Sequence, residues 1–166
     1  MAIHPNLQSM IKESLPEMLL VAKYCIEFRK DTNIWSAPGC YGYPAALLLL
    51  SIADRIGSYV EKGKSVKNHF KILNNKDYYG LNLSDEEIRI IFDNYRNLLS
   101  HHTVISTNVG LNIGSPNDPV LQSQNGRYWL NLVPFYNVSV KAVNVFLKNP
   151  DILKNNQTIL KIYKKS

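Results

Sequence analysis

A chain of 166 residues, 45% hydrophobic and 19% charged, suits one globular domain spanning 1–166 and falls outside the disordered class. Its 19 Lys and Arg against 13 Asp and Glu leave a net charge of +6, which leans toward a polyanionic partner such as RNA. Five of those cations lie from Lys148 onward against the single acid Asp151, so much of the excess belongs to a basic C-terminal tail or helix over 150–166. The two cysteines, Cys25 and Cys40, make neither a disulfide framework nor a C-x-x-C pair, which favours a reducing compartment. The opening MAIHPNLQSM lacks the charged-then-apolar plan of a signal peptide, and the most apolar run, 44–53, is too short to cross a bilayer. A cytoplasmic protein with no membrane partner is expected.

Apolar residues in helical rhythm run from Leu7 to Ile26. Pro16 lies inside that run and predicts a break or a new start there, with Ser14 as N-cap and 15–29 as the first helix. Dense Asn, Pro and Gly make 31–43 a loop, over which Trp35 and Tyr41 fold back toward the core. Pro44 suits the first turn of a second helix over 43–61, whose Leu47, Leu48, Leu49 and Leu50 make it the most buried. A short third helix over 65–73 follows. Leu83-Ser84-Asp85-Glu86-Glu87 then spells a helix start, with Ser84 as N-cap and Glu87 closing a capping box. Beyond His102 the period changes. Residues 120–124 and 127–132 flank Asn125-Gly126, the preferred type I′ hairpin turn, and 103–112 offers a third strand. A last helix is expected over 135–147, with Val138, Ala142, Val145 and Phe146 inward. The fold class is therefore mainly α, with a small β-hairpin or three-stranded insertion after the fourth helix.

That fourth helix carries the chemistry. Over 88–102 it reads IRIIFDNYRNLLSHH, with Ile88, Ile91, Phe92, Tyr95, Leu98 and Leu99 on one face. At roughly 100° per residue, Asp93, Asn97 and His101 stack along the other side, with Arg96 on the shoulder. Asp54 falls close to the apolar face of the second helix, where an ionised carboxylate needs a cation. Arg96 is one candidate, Arg55 or plain solvent exposure the others. No Gly-rich phosphate loop, G-x-S-x-G, H-E-x-x-H or dinucleotide fingerprint occurs, and the four histidines have no metal-ligand spacing. His101 and His102 point about 100° apart. They also suit a helix C-terminus, where the dipole favours a cationic imidazole.

The run Arg96-Asn97-Leu98-Leu99-Ser100-His101 resembles the R-x(4–6)-H motif of the HEPN superfamily (higher eukaryotes and prokaryotes nucleotide-binding). The run from Ala46 to Asp54 is similar to the apolar stretch before an acidic residue in related bacterial proteins. The resemblance covers two helices, less than a quarter of the chain. It implies an up-and-down helical bundle and a metal-independent endoribonuclease that needs no cofactor. His101 would then serve as acid–base group, Arg96 would hold the scissile phosphate, and Asn97 would position phosphate or imidazole; Asp54, Asp93 and His102 are possible supporting residues. It also implies RNA as a partner, a homodimer with composite sites, and an antitoxin protein in a toxin–antitoxin or defence system. The alternative is a catalytically inactive HEPN-like scaffold whose polar stripe is a homodimer contact. Thr103 stands where many toxin-like members carry an aromatic residue.

Overall fold

Helix α1 (Leu7–Glu27) begins at Asn6, whose side-chain oxygen accepts the Ser9 N–H at 2.9 Å and satisfies one of the helix's open donors. The computed structural model describes residues 6–61 and 65–149, and within them α1 continues through Pro16 instead of breaking there. The reason is which way Pro16 faces. Lys12, whose carbonyl loses its helical donor, and Pro16 itself are both exposed, so water can replace the missing N–H. Ile11, Leu15, Leu19 and Ala22 are buried on the other side and hold both halves on one core.

Helix α2 (Gly42–Val60) is the centre of the molecule. Ala45, Ala46, Leu49, Leu50, Ile52, Ala53 and Ile56 are fully buried, as its apolar run requires. It packs on α1, on α6 (Leu132–Leu147), on α3 (Val66–His69) with the 3-10 turn Phe70–Asn74, and on the motif helix. Asn74 then clasps the following loop. Its Nδ2 donates to the Leu83 carbonyl and its Oδ1 accepts from the Leu83 N–H, both at 2.6 Å. That pair of hydrogen bonds sets the start of the fourth helix beside the 3-10 turn, so α3 and the motif helix reach α2 together.

The motif helix has three parts: α4 (Asp85–Ile90), a π-helical segment (Ile91–Asn97) and α5 (Leu98–His102). The capping box stands as the sequence predicts, with Glu87 N–H donating to Ser84 Oγ and Ser84 N–H to Glu87 Oε2. Thr103 ends the helix at φ +57°, a left-handed conformation unusual for a β-branched residue.

Strands β1 (Val109–Asn112), β2 (Leu121–Gln124) and β3 (Arg127–Asn131) form a mixed sheet in the order β1-β3-β2, with β1 parallel and β2 antiparallel to β3. Asn125 (φ +53°) and Gly126 (φ +73°) make the turn that the Asn-Gly pair predicts. Tyr95 ties this sheet to the motif helix. Its fully buried hydroxyl lies 2.9 Å from both the Gly110 and Tyr128 carbonyls and donates its one proton between them. Helix α6 starts three residues earlier than the sequence suggests, at Leu132, with Pro134 in its first turn. Its buried face is Phe135, Ser139, Ala142, Val143 and Phe146, while Val138 and Val145 are half-buried. The molecule is thus mainly helical with a small three-stranded sheet. Among the described residues no helix is long and apolar enough to cross a membrane. The basic segment over 150–166 lies outside the described residues.

Candidate functional site

One carboxylate gathers the polar groups of three helices. Asp54, in the middle of α2, accepts from Arg96 Nη2 through Oδ2 at 2.8 Å and meets His69 Nδ1 through Oδ1 at 2.7 Å. The side chains of His69, Asp54 and Arg96 are 15%, 19% and 22% exposed, sheltered yet open to solvent. Of the alternatives for Asp54, the structure selects Arg96. Arg55 is exposed and leaves the carboxylate to the core-side cation. Charge-assisted bonds at this length are the strong kind, and here they offset the cost of half-burying the ions.

His69 is the member that the sequence reading misses. It reaches Asp54 because α3 lies directly on α2 at Gly57, one turn beyond the carboxylate. A Cβ built on Gly57 would stand 2.1 Å from the His69 carbonyl oxygen. Only a residue without a side chain lets the two backbones come this close. A glycine in the last turn of a leucine-rich helix, three positions after a carboxylate, is the signal that marks the spot.

The π segment accounts for how the motif residues are distributed. Reading 88–102 at a constant helical angle sets Asp93, Asn97 and His101 in one solvent stripe. A π turn bonds i to i+5 and advances less per residue, which shifts every later side chain around the axis. Within and beyond the segment, Asn97 and Leu98 are half-buried and Arg96 lies against α2. Asp93 stays exposed. His101 and His102 are exposed at the end of α5, their rings 6.5 Å apart and inclined at 64°. Among the described residues His101 makes no hydrogen bond or ion pair with Arg96 or Asp54. The geometry unites Arg96 with Asp54 and His69, and leaves His101, His102 and Asp93 on the surface. Among the described residues no group of three or more His, Cys, Asp or Glu gathers as a metal site.

A groove of about 610 Å³ follows β1, lined by Lys30, Cys40, Tyr43, Ser106, Thr107 and Leu111 among others. It has one cation but neither imidazole nor carboxylate, and burial pushes the Cys40 thiol upward, against the lesser pull of Arg29 and Lys30. That keeps the thiol protonated and unreactive. Asp54 is where a guanidinium and an imidazole converge on one carboxylate. Compared with known proteins, the chain matches no family model, no curated protein and no solved structure.

Proposed function

We propose that the chain is an HEPN-like protein, an up-and-down helical bundle that acts on RNA as a metal-independent endoribonuclease. The observation that carries this reading is the half-buried Arg96 held by Asp54 on the helix that ends in the exposed His101. Asp54 engages one nitrogen of the guanidinium. The fork keeps further donors for a phosphate, with a charge that no physiological pH removes. His101 supplies an imidazole, a side-chain type suited to general acid–base work, and Asn97 supplies an amide one turn before it. The exposed His101 suits a composite site, in which a second copy of the chain provides the facing wall. A cytoplasmic toxin–antitoxin or defence role, with an antitoxin partner, follows from the HEPN resemblance.

A second reading rests on a specific observation. Asp54 already neutralises Arg96, as expected of a catalytically inactive HEPN-like scaffold that dimerises without cutting RNA. Incubation of the full chain with RNA in the presence of a chelator separates the two. Cleavage by the wild type that Arg96→Ala and His101→Ala both abolish supports the ribonuclease. Intact RNA, with the same dimer in all three proteins, supports the scaffold.

A further inference from the structure

Asp54 fixes more than the guanidinium. A carboxylate paired with a guanidinium is an acceptor only, so the His69 nitrogen 2.7 Å away, Nδ1, must be the one that carries the proton. In the neutral imidazole that leaves Nε2 as a bare lone pair. Among the described residues Nε2 has no hydrogen-bond partner. The side-chain polar atoms sealed without a partner there are Tyr59 Oη, Tyr79 Oη, Asn131 Oδ1 and Ser139 Oγ. Nε2 is not one of them, so it reaches solvent. The imidazole and the guanidinium are separated by two hydrogen bonds and one carboxyl group, each anchored on a different oxygen of Asp54. A carboxylate that orients an imidazole through Nδ1 and leaves Nε2 to work is the arrangement that makes histidine an effective base.

We propose that His69 is a second catalytic acid–base residue, acting through Nε2 on an RNA phosphodiester whose charge Arg96 holds. This inference rests on the ribonuclease reading for its substrate. In the step, Nε2 takes the proton of the ribose 2′-hydroxyl and the 2′-oxygen forms a bond to phosphorus. The bond from phosphorus to the 5′-oxygen breaks, and that oxygen leaves with a proton returned by an imidazolium. The products are a 2′,3′-cyclic phosphate and a 5′-hydroxyl, with every proton accounted for. Base and phosphate anchor then come from one protomer, and Asp54 is the positioning residue for both.

The decisive variant is His69→Asn. Its amide N–H stands where Nδ1–H does, so it keeps the bond to Asp54 and the placement of Arg96 while deleting Nε2. Single-turnover cleavage of a short single-stranded RNA oligonucleotide is followed with chelator from pH 5 to 9, for wild type, His69→Asn and His101→Ala. Binding of the non-cleavable 2′-O-methyl oligonucleotide is followed by fluorescence anisotropy. The expected result for His69→Asn is a rate lower by about 10²-fold or more, with the acid limb of the pH–rate profile lost and binding within about twofold. A purely structural His69 is rescued by asparagine. Wild-type rate and profile in His69→Asn, with His101→Ala inactive, overturn the inference and leave the ribonuclease reading standing. No cleavage by the wild type overturns both. Side-chain ¹⁵N NMR of the wild type adds a test that needs no variant: the Nδ1–H tautomer at His69 is expected, and the Nε2–H tautomer overturns the inference.

Discussion

Gly57→Ala is the substitution that probes the packing beneath the site. In an isolated helix alanine is better than glycine by about 1 kcal/mol. Here the new methyl group meets the His69 carbonyl oxygen at 2.1 Å, against 3.4 Å for an ordinary contact. α3 must then retreat by about 1.3 Å, and a backbone carbonyl has no rotamer that moves it aside. Overpacking of this kind costs about 1–3 kcal/mol, and a main-chain clash belongs at the upper end. Set against the gain in helix propensity, the net is about 1–2 kcal/mol of destabilisation. For a chain of this length that lowers Tm by about 2–8 °C. The same retreat carries His69 Nδ1 from 2.7 Å to beyond hydrogen-bond reach of Asp54. Thermal unfolding by circular dichroism measures the first effect, and His69 side-chain NMR the second. A variant that melts at or above the wild-type temperature with its His69 signals unmoved would refute the packing argument and, with it, the account of how His69 reaches the carboxylate.

Tyr95→Phe deletes the hydroxyl shared by the Gly110 and Tyr128 carbonyls; a loss of about 1 kcal/mol in urea unfolding is expected, and no loss would show that the sheet is held without it. Burial pushes the hydroxyls of Tyr79 and Tyr95 well above the usual tyrosine range, opposed only in part at Tyr95 by its hydrogen bond to the Gly110 carbonyl. The folded state therefore holds these protons after the unfolded chain releases them at about pH 10. Their contribution to stability is complete below about pH 10 and is lost as pH rises from there toward the folded values. Urea midpoints between pH 8 and 11 should fall, and fall less in the Tyr79→Phe and Tyr95→Phe variants; equal falls would refute this. Thr103→Gly relieves a left-handed β-branched residue. Strain of about 1–2 kcal/mol, less the extra chain entropy of glycine, predicts a gain of about 0.5–1 kcal/mol, and a lower urea midpoint would contradict it.

What the order of residues determined by itself is what depends on near neighbours along the chain. Ser84 and Glu87 cap the motif helix because the box closes over three residues, and Asn125-Gly126 turns the hairpin because both positions tolerate positive φ. The leucine-rich α2 is central because its apolar run has to be buried on several sides, with Arg55 left to solvent. Asp54 was legible as a carboxylate in need of a cation, and Arg96 as one candidate for it. Tertiary structure decided the rest. Whether Pro16 ends α1 depended on which side of the helix meets solvent. That Asp54 takes Arg96 and not Arg55 depended on the motif helix packing against α2. That His69 shares Asp54 depended on two backbones meeting at Gly57, a contact between residues twelve positions apart. Periodicity reports the angle of a side chain about its own axis. Only the packing of one helix on another sets which side chains, from different turns, meet at one carboxylate.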